Sequence, residues 1–199
     1  VWAAVANWGA LQTWCPVFEK TEIVSGGTAV GSVRAITLKG GTLAVGGISG
    51  SQGNWTWNTP ITLQASTAST IDQQIFSGTG RYFKLNGAIA GSGDLLFRES
   101  GATDSFSDDN LGFIITGTNT LSGTVTIGGA TENGITGRLS SVRIGGISGT
   151  DTTTPAGTGG SLGTATVVNN GVLTLSRSDT WTYGNTTSGS GSLRVGGPT

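Results

Sequence analysis

The chain contains no histidine and no methionine, one cysteine (Cys15) and four prolines in 199 residues. Without histidine there is no imidazole-dependent triad, no commonest general base and no commonest zinc ligand set. Cys15 has no imidazole to activate it and no second cysteine to close an internal disulfide. Neither a thiol nucleophile nor a disulfide framework is therefore expected. Charged residues make up only 11% of the chain, and the formal net charge is −1. The ten basic residues stand singly between Lys20 and Arg194, whereas a nucleic-acid binder clusters them to displace counterions. No run approaches the ~20 apolar residues that cross a bilayer, so no membrane insertion by this segment is expected. Neither an initiator Met nor a charged-then-apolar leader begins the chain, which reads as a mature or excised piece.

What the chain has in abundance is glycine, at 36 residues, with Ser and Thr supplying roughly another quarter. Hydrophobic residues at 35% and a nearly balanced charge describe a chain that folds, since disorder goes with low hydrophobicity or high net charge. Helical periodicity is almost absent: the best candidate, Val1 to Leu11, is interrupted by Gly9. Residues 1–21, with Trp2, Trp8, Trp14 and Pro16, read as an N-terminal cap or lead-in. From Glu22 onward, alternating runs of four to six residues end at glycine pairs or at Ser-Gly and Asn-Gly. Thr124 to Ile127, Ser141 to Ile144, Val172 to Leu175 and Ser192 to Val195 are examples. Alternation puts Val125 and Ile127, Val142 and Ile144, and Leu193 and Val195 on one face, with Thr or Arg on the other. The fold class is all-β, built of many short strands.

Internal similarity bears on which all-β architecture. Val45 to Gly50 recurs as Ile144 to Gly149, and Ala90 to Phe97 as Ser188 to Val195, at offsets of 99 and 98 positions. These suggest two degenerate halves, about 22–110 and 111–199. A parallel β-solenoid (β-helix) over 22–199 accounts for the pattern. Inward Val, Ile and Leu stack in columns ~4.8 Å apart, outward Thr and Ser suit strands without adding charge, and corners take glycine. At ~20–25 residues per coil, eight to ten levels are expected. The alternative is a β-sandwich, in which Asn170-Gly171 is a two-residue hairpin turn.

From Leu111 to Thr199 three ordered blocks carry a family resemblance. Ile115-Thr116-Gly117-Thr118-Asn119-Thr120-Leu121-Ser122-Gly123-Thr124-Val125-Thr126-Ile127 is similar to a repeat core of the form LTGxNTYSGxTTI. Val168-Asn169-Asn170-Gly171 through Trp181-Thr182-Tyr183-Gly184, preceded by Gly160-Ser161-Leu162-Gly163, is similar to NNGTLTFNRSDTYTFG. Ser188-Gly189-Ser190-Gly191-Ser192-Leu193 is similar to ISGSGSL. Together they resemble the autotransporter-associated β-strand repeat of bacterial surface-protein passenger regions. The match reaches back weakly to Leu85 to Gly93. It departs from the family in the insertion Ser100 to Asn110, and at Leu121, where an aromatic is common. The resemblance implies a right-handed parallel β-helix, export, and a role in adhesion or as a stalk, and it supplies no catalytic residues.

Three sets of side chains are candidates for chemistry. Asp104, Asp108 and Asp109, with Glu99 upstream and Asn110 beside them, form the one acidic concentration. Oxygen ligands on a loop suit Ca²⁺, but neither the EF-hand spacing nor the glycine-aspartate repeat of calcium β-rolls is present, and a solvated loop is the plainer reading. A paired-carboxylate glycosidase site needs a ~5–9 Å separation that sequence does not reveal. Trp55 and Trp57, and again Trp181 and Tyr183, alternate across one residue and so share a face in a strand. They are candidates for stacking on sugars or for self-contact, against the reading that they fill the interior or cap an end. Gly91-Ser92-Gly93 and Gly189-Ser190-Gly191 lack the Lys-Ser/Thr and helix of a phosphate loop and read as corners.

The expectation is a secreted or cell-surface structural or adhesive segment that is not an enzyme and has no cofactor. Its expected partners are copies of itself, joined end to end as an oligomer or filament, and host or matrix glycans. The alternative is a carbohydrate-binding or carbohydrate-active β-helix.

Overall fold

The computed structural model describes residues 18–25, 33–45, 54–74, 82–100, 112–128, 139–146 and 157–196. Among them are seventeen short strands and no helix. The chain enters through β1 (Phe18–Ser25) and then climbs in levels. The first level is β2 (Val33–Leu38), β3 (Gly41–Val45) and β4 (Trp55–Trp57). The second is β5 (Ile61–Leu63), β6 (Ala68–Gln73) and β7 (Tyr82–Leu85), and the third β8 (Ile89–Gly91), β9 (Asp94–Arg98) and β10 (Gly112–Ile115). The fourth is β11 (Thr120–Leu121), β12 (Thr124–Ile127) and β13 (Ser141–Ile144). Above it lie β14 (Thr166–Asn169) with β15 (Val172–Leu175), and last β16 (Thr187–Ser188) with β17 (Ser192–Val195).

Each level adds one strand to each of up to three sheets. The first sheet runs β1-β2-β5-β8-β11, the second β3-β6-β9-β12-β14-β16 and the third β4-β7-β10-β13-β15-β17. Every pairing between levels is parallel, and only β1 lies antiparallel, on the outer edge of β2. This is a parallel β-solenoid. The sandwich alternative fails at Asn170-Gly171. The strands flanking that dipeptide, β14 and β15, pair in different sheets, so the dipeptide turns a corner and closes no hairpin. The second and third sheets are six strands deep among the described residues, fewer than the eight to ten levels expected. Successive partners in the third sheet stand 28, 30, 29, 31 and 20 residues apart. Most levels therefore use more chain than a compact repeat, and one step in the second sheet, Thr124 to Thr166, takes 42.

Alternation fills the interior because parallel, in-register stacking repeats each inward position above itself. One column of the third sheet reads Trp55, Phe83, Phe113, Val142, Leu173, Leu193, and the next reads Trp57, Leu85, Ile115, Ile144, Leu175, Val195. In the second sheet Leu43, Ile71, Phe97 and Ile127 are stacked, capped by Asn169. Middle members are fully buried, and each contributes roughly 1.5–3 kcal/mol of burial. Phe97 and Phe113 meet across the interior with ring centroids 4.9 Å apart, and Phe113 continues edge-on to Phe83 at 6.2 Å.

Corners bring backbone close to backbone. Gly91, the last residue of β8, has φ +108°, and a Cβ there would overlap the Leu63 carbonyl one level below. Gly189, between β16 and β17, has the same φ and would overlap the Asn169 carbonyl. These two Gly-Ser-Gly corners are the ones matched at an offset of 98. The first joins sheets one and two and the second joins sheets two and three.

Candidate functional site

The side chains that sequence reasoning marks for chemistry fall in three places. Asp104, Asp108, Asp109 and Asn110 lie outside the described residues, as do Cys15 and the Trp2, Trp8 and Trp14 group. Glu99 is described and is buried. Its Oε1 accepts the Ser141 N–H at 2.6 Å, and its own N–H donates to Ser140 Oγ at 3.1 Å. The carboxylate therefore anchors the start of β13 to the end of β9, one level below. Among the described residues no group of three or more His, Cys, Asp or Glu side chains is placed to hold a metal ion.

Trp55 and Trp57 do share a face, and that face is the inner one. Both are half-buried against the core, and Trp57 meets Phe83 edge-on at 6.4 Å. Trp181 and Tyr183 also pack on the core, in a T-shaped pair 5.8 Å apart. The Arg177 guanidinium lies 4.8 Å from the Trp181 ring centroid, within cation–π reach. It is held there by two bonds to Asp179, Nε to Oδ1 at 2.8 Å and Nη2 to Oδ2 at 2.7 Å, and by Nη1 donating to the Gly160 carbonyl at 2.6 Å. Hydrogen bonding from Arg177 holds the Asp179 carboxyl below its ordinary range. Burial pushes the Tyr183 phenol up, although its hydroxyl shares a hydrogen bond of 2.8 Å with Thr187 Oγ1.

Three buried polar residues were not marked by the sequence reading. Asp72 occupies an outward register position on β6 but is fully buried. It accepts from Arg98 Nη2 at 3.0 Å, from the Ser100 N–H at 3.0 Å and Oγ at 2.5 Å, and from Gln74 Nε2 at 3.1 Å. Asn119 turns inward. Its Oδ1 accepts the Ile89 N–H at 2.7 Å and its Nδ2 donates to the Ser161 carbonyl at 2.8 Å. Asn169 donates to the Ser192 carbonyl at 2.9 Å and accepts the Gly171 N–H at 3.2 Å. The one available signal was position: each interrupts or ends an otherwise apolar or Thr-rich alternation.

On the outside of the second sheet an open depression is lined by Thr70, Asp94, Leu96, Thr124 and Thr126. Its carboxylate, Asp94, already accepts the Thr124 N–H at 2.8 Å. The arrangement offers a shallow Thr-rich surface without an opposed acid and base.

Fold and side chains together define a three-sided parallel β-solenoid whose buried polar groups tie one level to the next. The chain matches no protein-family model, no curated protein and no solved structure.

Proposed function

We propose that this chain is an extracellular structural or adhesive segment of a bacterial surface protein, of the kind that autotransporter passenger repeats build. One observation carries the reading: among the described residues, buried polar side chains are used between levels. Glu99, Asp72, Asn119 and Asn169 each bond to a neighbouring level, as internal struts of a rod. The sequence resemblance over Leu111 to Thr199 supports export and surface display. So does the absence of any need for disulfides in a chain with one cysteine. The carbohydrate-active alternative has less support, because Trp55, Trp57, Trp181 and Tyr183 are packed on the core.

The test is to display the chain between a surface anchor and a terminal epitope on a bacterium. The epitope should stay accessible and the segment protease-resistant, and displaying cells should be retained on a matrix-coated surface or held apart from it as by a spacer. Release of reducing ends from a polysaccharide panel by the purified chain would overturn the reading in favour of the enzyme. Rapid proteolysis of the displayed segment would overturn it as a stalk.

A further inference from the structure

The two ends of the third sheet are complementary. At the C-terminal end β17 pairs with β15 and, among the described residues, with nothing beyond it. Leu193 and Val195 stand in its two inward columns and are 53% and 83% exposed, whereas Leu173, directly below Leu193, is fully buried. At the other end β4 pairs with β7 alone among the described residues. There the same two columns begin with Trp55 and Trp57, each half-buried. The columns therefore start on half-buried aromatics and, among the described residues, finish on exposed aliphatics. Between the inward positions, the outward column that begins at Thr56 ends at Arg194, so joining the ends brings no like charges together. β1 lies on the edge of the first sheet, and among the described residues no strand lies on the edge of β4.

We propose that the C-terminal end of one chain docks in register on the N-terminal end of a second copy. β17 is added to β4 as one more parallel strand, with Leu193 on Trp55 and Val195 on Trp57. This deepens the scaffold reading above and rests on it. Backbone groups along β17 and β16 find ladder partners on β4 and β3, which relieves two open sheet edges. The contact joins different surfaces of identical chains, so it propagates and does not close. Its centre is two aliphatic and two aromatic side chains, few beside the ~20–30 residues a side of a standard interface. Association therefore belongs at high protein concentration.

The experiment is cross-linking in a Cys15→Ser background, which removes the only native thiol. Thr56→Cys and Arg194→Cys chains are prepared separately, then mixed and oxidised across a concentration series. In-register parallel neighbours stand ~4.8 Å apart, inside the 4.4–6.8 Å Cα range that a disulfide spans. A covalent dimer should form in the mixture, rise with concentration, and be absent from either variant alone. Adding L193E and V195E to the Arg194→Cys chain should cut its yield at least tenfold while the circular dichroism spectrum keeps its β character. Dimers from either variant alone would overturn the proposal in favour of a two-fold contact. A single monomer boundary for the unaltered chain at every concentration in sedimentation velocity would overturn it outright. Neither result touches the display and polysaccharide assays, so failure of the docking and failure of the scaffold reading remain distinguishable.

Discussion

Asn119 joins three levels through a single carboxamide, accepting from Ile89 and donating to Ser161. Truncating it leaves the buried Ile89 N–H unpaired, at about 1–3 kcal/mol, and removes the donor to the part-buried Ser161 carbonyl. Asn119→Ala should therefore lower the urea midpoint by an amount equivalent to about 1–3 kcal/mol with the m-value unchanged. A midpoint equal to the parent's would refute the strut role. The residue sits inside the block Ile115 to Ile127 that carries the family resemblance, yet its task was not legible there. Asparagine beside Thr and Gly reads locally as a turn former, and its partners lie 30 and 42 positions away. The same distance in sequence hid Asp72, whose burial depends on Arg98 and Ser100 of the next level. Arg177 and Asp179 give a pH-dependent counterpart. The Asp179 carboxyl is held below its ordinary value of 3.8, so the pair is intact above that value and its contribution is lost as pH falls through the lowered one. The guanidinium of that pair also stacks on Trp181. Tryptophan emission should shift on acidification below 3.8 and the step should be missing from Asp179→Asn. An identical titration in both chains would argue that the guanidinium does not depend on Asp179 for its place.

Strands were the most legible elements, because a two-residue alternation survives any amount of intervening chain. Thr124 to Ile127, Ser141 to Ile144, Val172 to Leu175 and Ser192 to Val195 are all strands, and Val125, Ile127, Val142 and Ile144 face the core as their alternation requires. Leu193 and Val195 have the inward register too, yet they are exposed because, among the described residues, no strand pairs beyond β17. Corners were legible as glycine but not as to which sheets they join: the two Gly-Ser-Gly segments join different pairs. Their steric demand can be measured. Gly91→Ala places a side chain at φ +108° against the Leu63 carbonyl and should cost more than about 2 kcal/mol, seen as a lowered midpoint or loss of soluble protein. Gly184→Ala meets nothing within 4 Å and should stay within about 0.5 kcal/mol of the parent. Equal behaviour of the two variants would dismiss the corner argument.

At the scale of the whole molecule, each level contacts the one before and the one after, so stability is approximately a sum of level and interface contributions. Among the described residues the middle levels have two neighbours and the last has one. Amide hydrogen exchange should therefore be slowest in β9, β10, β12 and β13 and fastest in β16 and β17. Uniform protection from β4 to β17 would show that the stack opens as one unit and would falsify the additive picture. The number of levels was the least legible property, since it depends on how much chain each level consumes, and that quantity runs from 20 to 42 residues between partners. The register of the strands is indifferent to this variation: Val125 still meets Val167 across the longest step, and Val167 meets Thr187 across one of the shortest. A frame of that kind separates inheritance into two rates. Inward columns can change only by substitutions that keep their size, while the joints between strands can lengthen, shorten or be exchanged whole. The same rod can thus present a different exterior in every descendant without refolding.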